Sequence, residues 1–337
     1  MTRDAATAST RTGAPAAPAH SSNEDTRRPQ ATLWTALGIV YVVWGSTYLA
    51  IRIVVETMPP FFSAALRFLT AGLLLAGIIA WRSGPAALKI DRRRLASAVL
   101  VGLLLLVGGN GLVVLAETRI PSGLAALLVA SVPLWVILLR TSFGDRPRAA
   151  TFGGVLLGFC GLAVLTLPGS SGGVRLTGIL LVLAAALLWS IGSFLSSRLP
   201  MPASPFTASA YEMLAGGLGD LLLSLVRHEH VHLGSFSTSS WLALAYLAVF
   251  GSLIAFSAFA WLLQNASLSL VATYAYVNPV VAVALGWLIL DEPVTWPIAL
   301  GGAIVVAGVC LVVSTEARTQ KAPVPKDEGP TTAQSTV

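Results

Sequence analysis

Apolar stretches and short polar turns alternate along residues 33–314 of the chain. The apolar stretches are about 17 to 23 residues long, which is the length that an α-helix needs to cross a lipid bilayer. Within each stretch the apolar residues are continuous and do not alternate with polar ones, as they would in a half-buried strand. The pattern therefore predicts an all-α integral membrane protein with ten transmembrane helices, at residues 33–51, 61–81, 95–115, 122–139, 151–167, 176–196, 206–226, 240–262, 269–290 and 296–314.

The chain contains an internal repeat, because prolines and glycines occur at matching positions after residue 122 and after residue 269. Each block has a proline in the middle of its first apolar stretch and spaced glycines in its second. A shift of about 146 positions aligns Pro133 with Pro279, Gly154 with Gly301, and Gly161 with Gly308. Each copy holds five predicted spans, and since five is odd, the second copy inserts upside down. Two inverted five-helix repeats are typical of secondary transporters.

The repeat divides the chain into four parts. Residues 33–167 form the first predicted repeat, and residues 176–314 form the second. Residues 1–32 contain no apolar stretch and are predicted to be a disordered cytoplasmic tail. Residues 315–337 are predicted to be a second cytoplasmic tail.

The composition agrees with a membrane location. Of the 337 residues, 55% are hydrophobic and 11% are charged, whereas soluble domains contain about 25% charged residues. The net charge of +6 does not indicate nucleic-acid binding, because the basic residues lie in tails and loops between apolar stretches. Cys160 and Cys310 lie inside apolar stretches, so the sequence indicates neither a disulfide framework nor a metal site.

The distribution of lysine and arginine predicts the orientation of the chain. Sixteen of these residues fall on the side that holds both termini, four fall on the other side, and Arg67 lies within a span. Basic residues concentrate in cytoplasmic loops. We therefore expect a multi-pass protein of the plasma (cell inner) membrane with both termini in the cytoplasm.

Several short motifs resemble those of the EamA family, which belongs to the drug/metabolite transporter superfamily. These motifs are Trp44-Gly45-Ser46-Thr47-Tyr48, Ala65-Leu66-Arg67-Phe68, Ser131-Val132-Pro133-Leu134, and Val277-Asn278-Pro279 with Asp291-Glu292-Pro293. The resemblance covers about residues 33–314. It implies a ten-helix inverted-repeat fold that moves small metabolites, often amino acids or related compounds, and frequently outward. In one departure, Asp145 followed by Arg146 stands where the family more often has glutamate.

The two matched prolines predict a substrate site near the middle of the membrane. A proline within a helix removes the hydrogen bond to the carbonyl four residues earlier, here those of Val129 and Ala275. In the hydrocarbon layer a freed carbonyl needs a protein partner or a wet cavity. Breaks at Pro133 and Pro279, one in each half, therefore predict that substrate binds between the halves. The alternative is that both prolines are packing kinks.

Polar side chains near these breaks are predicted to bind substrate. Tyr274 and Asn278 are four residues apart and so share one face of the ninth span. Asn110 is the amide of the third span, and an amide in the membrane must face protein or water. For Asn110, an interhelical hydrogen bond is the alternative role.

Aromatic residues in the first and sixth spans are predicted to line the same site. Trp44 and Tyr48 align in the repeat with Trp189 and Ser193. These positions lie deeper than the interfacial belt where tryptophan usually occurs. Their rings can stack on an apolar or cationic solute, and simple core packing is the alternative.

Three ionisable residues fall within predicted spans, where such residues are candidates for function. Asp220 and Glu212 are candidates for proton coupling. The alternative for Asp220 is an ion pair with Arg227, and the alternative for Glu212 is a side chain that extends to the membrane surface. Arg67 is predicted to pair with Glu117 on the outer side of the membrane.

Other function classes are disfavoured by the sequence. The chain has no G-x-x-x-x-G-K-[ST] loop, which argues against direct drive by ATP. Every histidine lies in a tail or loop, which argues against a hydrolase triad. His228, His230 and His232 are interpreted as solvated loop residues and not as zinc ligands.

The sequence therefore predicts a secondary transporter that exports small organic metabolites by alternating access. It is predicted not to be an enzyme and to need no cofactor or metal. Its predicted partners are a small-molecule substrate and the lipid bilayer, and no nucleic acid is expected. The sequence is compatible with a homodimer. The alternatives are an importer or facilitator of the same solutes, an intramembrane enzyme, and a membrane scaffold or sensor.

Overall fold

A computed structural model describes residues 27–144, 149–165, 176–266, 268–271 and 273–320. Across these ranges the chain forms helices joined by short turns, and it forms no strand. In chain order the main helices are α1 (Arg27–Val54), α2 (Pro60–Ser83), α3 (Arg92–Glu117), α4 (Ser122–Ser142), α5 (Ala149–Leu165), α6 (Leu176–Ser196), α7 (Pro205–Val226), α8 (Thr238–Asn265), α9 (Tyr274–Leu290) and α10 (Trp296–Gln320). The all-α prediction is confirmed for this part of the chain.

Six of these helices are long and apolar enough to cross a membrane: α1, α2, α3, α4, α6 and α8. Helices α5, α9 and α10 contain shorter apolar segments, and α7 carries the carboxyl groups of Glu212 and Asp220. Large apolar side chains such as Leu73, Leu222 and Leu288 are mostly exposed on the outside of the molecule. Such a surface suits lipid and not water, so the chain is a multi-pass membrane protein.

The helix ends differ from the predicted spans at both termini. The first helix begins at Arg27 and the last continues to Gln320, so each extends into a segment that the sequence predicts as a tail. The turn at Asp145 and Arg146 lies outside the described residues, as do positions 1–26 and 321–337.

Each main contact between helices joins one helix from the first half of the chain to one from the second. Helix α2 packs against α7, α4 against α9, and α5 against α10. Helix α1 packs against α8, and α3 packs against α6. Buried apolar residues from both halves form one continuous core around these contacts.

Helices α5 and α10 approach so closely that their contact admits only glycine. A β-carbon added at Gly308 would lie 2.5 Å from the backbone nitrogen of Gly158 and 2.8 Å from the carbonyl oxygen of Gly154. The glycine spacing that revealed the repeat therefore marks a helix–helix contact of the kind that small residues allow in membranes.

Two glutamates from the second half cap helices of the first half. Glu229 accepts hydrogen bonds from the backbone N–H groups of Phe61 and Phe62 at the start of α2, at 3.2 and 2.9 Å. Glu292 accepts from the N–H and hydroxyl of Ser122 at the start of α4, both at 2.8 Å. Helix N-termini leave N–H groups unpaired and favour negative charge. The acidic turn after α9 thus joins the two halves at this end of the bundle.

The opposite end of the bundle is held by the segment between α2 and α3. The Tyr211 hydroxyl of α7 donates to the Leu88 carbonyl at 2.7 Å. Asp91 caps α3 by accepting from the backbone N–H groups of Arg93 and Arg94, both at 2.9 Å. The hydrogen bond from the Arg94 backbone, followed by that from Arg93, lowers the pKa of Asp91 below its usual value.

Candidate functional site

A cavity lies between the two halves, among helices α1, α2, α3, α4, α6, α8 and α9. It encloses about 640 Å³ of empty space, including space that opens to the outside. The lining residues are Trp44, Thr47, Tyr48, Ile51, Arg67, Phe68, Leu106, Gly109, Asn110, Val113, Val129, Ala185, Ala186, Trp189, Gly251, Phe256, Tyr274 and Asn278. Apolar and aromatic residues predominate, and a few polar groups converge among them.

An aromatic cluster stands on one side of this cavity, centred on Trp44. Its ring contacts those of Trp189 and Tyr274 edge to face, with centroids 5.5 and 5.3 Å apart, and that of Phe259 at 4.8 Å. Edge-to-face pairs are favourable because the ring edge is positive and the ring face negative. The indole N–H of Trp44 donates to the carbonyl of Gly251 at 3.1 Å, which fixes the ring against α8.

Arg67 supplies the charge in the cavity. Its Nε donates to the Ser252 hydroxyl at 2.7 Å, and one terminal nitrogen lies 3.4 Å from the amide oxygen of Asn110. The guanidinium also sits over the Phe68 ring, 4.7 Å from its centroid. The side chain is 4% exposed, so this cation is held inside the protein and not at the membrane surface.

Asn278 connects α9 to α1 while lining the cavity. When its amide is oriented so that the nitrogen donates, it reaches the Tyr41 carbonyl at 3.1 Å and the Tyr274 carbonyl at 3.2 Å. Both amide hydrogens are then used within the protein, and the amide oxygen is left as an acceptor. The amide of this cavity-lining residue therefore joins α9 to α1.

The central cavity lies between two halves of similar sequence pattern, and comparison with known protein families identifies the family of the chain. The model of the EamA-like transporter family matches residues 32–167 and, separately, residues 176–314. The chain belongs to this family. The resemblance read from the sequence motifs is confirmed.

Relatives of this EamA chain are described as transporters. It is 42% identical over 255 residues to the uncharacterized inner membrane transporter YedA of Escherichia coli (strain K12), covering 75% of this chain and 81% of that protein. It is 25% identical over 300 residues to the uncharacterized transporter YvbV of Bacillus subtilis (strain 168), covering 87% and 95%. These descriptions point away from an enzyme.

More distant likenesses extend along most of the chain. The WAT1-related protein At3g02690, chloroplastic, of Arabidopsis thaliana is 28% identical over 288 residues, covering 83% of this chain and 69% of that protein. A solved crystal structure aligns with a TM-score of 0.62 at 22% identity, covering 88% of this chain and 99% of that one. At this identity the second likeness concerns the fold alone.

Six residues predicted from the EamA sequence to contact substrate meet in the cavity lining. They come from four helices, α1, α3, α6 and α9, and are Trp44, Tyr48, Asn110, Trp189, Tyr274 and Asn278. Five other predicted positions are not among the lining residues: Ser193, Pro133, Pro279, Asp220 and Glu212. The lining also includes Arg67, Phe256 and Val129, whose side chains were not predicted from the sequence to contact substrate.

The two prolines occupy different positions in their helices. Helix α4 is interrupted at Ala130 and Ser131, and Pro133 stands in the first turn of its second half, which begins at Val132. Proline is tolerated there because that N–H has no helical partner. Pro279 lies inside α9. Of the carbonyls that the prolines leave without a donor, that of Val129 belongs to a cavity-lining residue and that of Ala275 does not.

Asp220 does not form the ion pair with Arg227 that the sequence offers. The Arg227 guanidinium lies over the Phe61 ring, 5.6 Å from its centroid. Both carboxyl oxygens of Asp220 are buried without a hydrogen-bond partner among the described residues, and one lies 2.7 Å from where a β-carbon on Gly111 would stand. Glu117 is likewise buried without a partner in the described part of the chain, so the predicted Arg67–Glu117 ion pair is not formed either.

Three helices change to π-helical geometry beside the cavity, which the sequence reading missed. The segments are Val40–Trp44 in α1, Leu103–Gly111 in α3 and Leu247–Ile254 in α8. They carry the lining residues Trp44, Asn110 and Gly251. π-helical segments are rare and occur frequently at functional sites. A sequence signal exists only in α3, where glycines surround Asn110.

Proposed function

We propose that this protein is a secondary transporter that exports small organic metabolites by alternating access. The observation that carries the proposal is the cavity, because residues from both halves line it and it combines aromatic surface with a few fixed polar groups. Transporters bind substrate at such an interface, and the halves rock about it. Family membership supports transport as the activity, and amino acids or related compounds are the solute class.

We further propose that all ten helices span the membrane as two inverted repeats, residues 33–167 and 176–314. The helix pairing supports this arrangement. A two-fold axis between the halves would exchange α2 with α7, α4 with α9, and α5 with α10, and it would map the contact within each of these pairs onto itself. The contact between α1 and α8 must also reappear as the contact between α6 and α3. All five pairings occur.

The orientation with both termini in the cytoplasm completes this proposal. It places the capping glutamates, Glu229 and Glu292, together on the outer side with the starts of α2 and α4. It places Asp91 and the bond from Tyr211 to Leu88 on the inner side. In this orientation, one group of contacts therefore lies at the outer face of the membrane and the other at the inner face.

The proposal is tested by transport in proteoliposomes that contain the purified protein. A panel of labelled amino acids, organic acids, sugars and organic cations is loaded inside or outside, with and without a pH gradient. We expect at least one solute to exchange across the membrane at a rate well above that of empty liposomes, without ATP. Accumulation only in the inward direction would favour the importer, and no exchange of any solute would contradict a transport function.

Asn278→Ala should weaken substrate binding several-fold, up to about tenfold, because a hydrogen bond to a neutral group contributes about 0.5–1.5 kcal/mol. The variant should also melt at a slightly lower temperature, since it loses the bond to the Tyr41 carbonyl. Binding is measured on purified protein with whichever solute exchanges in proteoliposomes.

Asn265→Ala is the matched control for this prediction. Asn265 donates to the carbonyl of Trp261 at 2.8 Å, but it is exposed at the end of α8 and does not line the cavity. The control should bind the solute as the parent does. Equal binding by Asn278→Ala and the parent would place the substrate elsewhere.

A further inference from the structure

Arg67 is the one charged side chain among the described residues that line the cavity. It is almost fully buried, at 4% exposed. Within the described ranges, no carboxylate oxygen comes within ion-pair distance of its guanidinium. A buried charge without a partner is strongly unfavourable, and an ionisable residue inside a membrane protein is by default a candidate for function.

The hydrogen bonds of Arg67 leave part of the guanidinium uncommitted. Of its five N–H donors, the one on Nε is satisfied by Ser252 at 2.7 Å. The contact from Nη1 to the Asn110 amide oxygen is long, at 3.4 Å. Among the described residues, neither terminal nitrogen donates to a further acceptor. The second terminal nitrogen borders Gly251, another lining residue, since a β-carbon there would lie 3.1 Å away.

Two buried acidic groups, Asp220 and Glu117, do not fill this position. Asp220 and Glu117 are close enough to interact electrostatically with Arg67, but neither lines the cavity. The carboxyl of Asp220 faces Gly111 on the α3 side. The cavity therefore presents the guanidinium of Arg67 to its contents, and no carboxyl group among the described residues lines it.

The guanidinium stands beside the aromatic cluster. Adjacent residues of α8 hold the two groups: Gly251 accepts from the Trp44 indole and Ser252 accepts from Arg67. An apolar surface next to a fixed, partly free guanidinium matches a molecule with an apolar body and a carboxylate head. Arginine favours carboxylates because its planar fork can donate two parallel hydrogen bonds.

We propose that the cavity takes a small organic carboxylate, whose charged group pairs with Arg67 and whose apolar or aromatic body packs against Trp44, Trp189 and Tyr274. This inference rests on the proposed transport function and names the substrate class of the same site. The stacking of a cationic solute on these rings, which the sequence left open, is disfavoured because Arg67 would face it with like charge.

The test uses sets of compounds that share a body and differ only in charge. The probes are 3-phenylpropionate, 4-methylpentanoate and hexanoate, each with its amide and its corresponding amine, bound to purified protein at neutral pH. We expect an acid to bind about ten- to a hundredfold more tightly than its amide, which corresponds to a hydrogen bond with a charged group. The amines should bind more weakly still.

Arg67→Gln should remove the advantage of the acid and leave the affinity for the amide within about twofold. Arg52→Gln is the matched control, because Arg52 donates to the backbone carbonyl of Glu117 at 2.6 Å and does not line the cavity. The control should keep the preference for the acid. If Arg67→Gln does not fold, as judged by thermal melting, the ranking of acid, amide and amine on the parent protein decides the question.

Two results would overturn the proposal. One is that no acid binds the parent more tightly than its amide, and the other is that folded Arg67→Gln keeps the preference. Either result, together with exchange of a neutral or cationic solute in proteoliposomes, would leave the transport function standing. Absence of exchange for every solute would instead count against the transport function itself.

Discussion

Replacing Trp44 by alanine should destabilise the protein by about 3–5 kcal/mol, the usual cost of removing a large buried aromatic residue, and should abolish substrate binding. The indole is 9% exposed and contacts the rings of Trp189, Phe259 and Tyr274. Its removal leaves a void between α1, α6 and α9 and frees the Gly251 carbonyl. Thermal melting and solute binding are measured on the same preparation.

Two variants separate the ring from other effects of losing a tryptophan. Trp44→Phe keeps an aromatic ring and loses the N–H, so it should cost only about 0.5–1.5 kcal/mol and retain binding. Trp81→Ala removes a tryptophan that is 84% exposed at the end of α2, and it should leave both quantities near those of the parent. If Trp44→Ala has a melting temperature as high as that of Trp81→Ala, the aromatic cluster does not hold the two halves together.

Gly308→Ala should destabilise the protein by about 1–3 kcal/mol, as over-packing of a close contact does. The new β-carbon would stand 2.5 Å from the backbone nitrogen of Gly158. A backbone atom cannot rotate away as a side chain can, so α5 and α10 must separate. Thermal melting in detergent measures the loss.

Gly153→Ala is the matched control for this change on the facing helix. No atom lies within 4 Å of the β-carbon position at Gly153, and alanine favours a helix over glycine by about 1 kcal/mol. The control should therefore melt at or above the temperature of the parent. If Gly308→Ala melts as high as Gly153→Ala, the close contact of α5 and α10 does not contribute to stability.

The sequence predicted the helices well because each apolar stretch ends at turn residues that a helix does not tolerate. Pro59 precedes α2 and Pro60 is its first residue, where proline is tolerated, and Asp291, with a φ of 51°, ends α9 in the left-handed conformation. The outer limits were less accurate. Polarity rises after residue 314, but α10 continues to Gln320, because polar residues can extend a helix beyond the apolar segment.

The aromatic and amide positions of the site were predictable because the polar atoms of tryptophan, tyrosine and asparagine deep in a span must face protein or a water-filled cavity and not lipid. The environment of Arg67 was not. The position of Arg67 along α2 gives the depth of its side chain in the membrane but not its neighbours on other helices. Glu117 was therefore predicted as its partner. The structure instead supplies Ser252 from α8 and Asn110 from α3.

The π-helical segments and the fate of the prolines also lay beyond the sequence. A π-helical segment alters the hydrogen bonding of the backbone without a characteristic residue, and α8 shows one over Leu247–Ile254, where all side chains are apolar except that of Ser252. Pro133 and Pro279 match in the alignment of the repeat. The turn at Ala130 and Ser131 nevertheless ends the first half of α4 before Pro133 is reached.

The central claim is that substrate crosses the membrane through the cavity between the two halves. The direct measurement places one cysteine in the lining, as Val113→Cys, in a background where Cys160 and Cys310 are alanine. Both native cysteines are exposed on the outside of the bundle, whereas Val113 lines the cavity. A membrane-impermeant thiol reagent is then applied to either side of proteoliposomes. We predict that the cysteine reacts from both sides, that transported solute changes the two rates in opposite directions, and that modification stops transport. Full transport after complete modification would contradict the account.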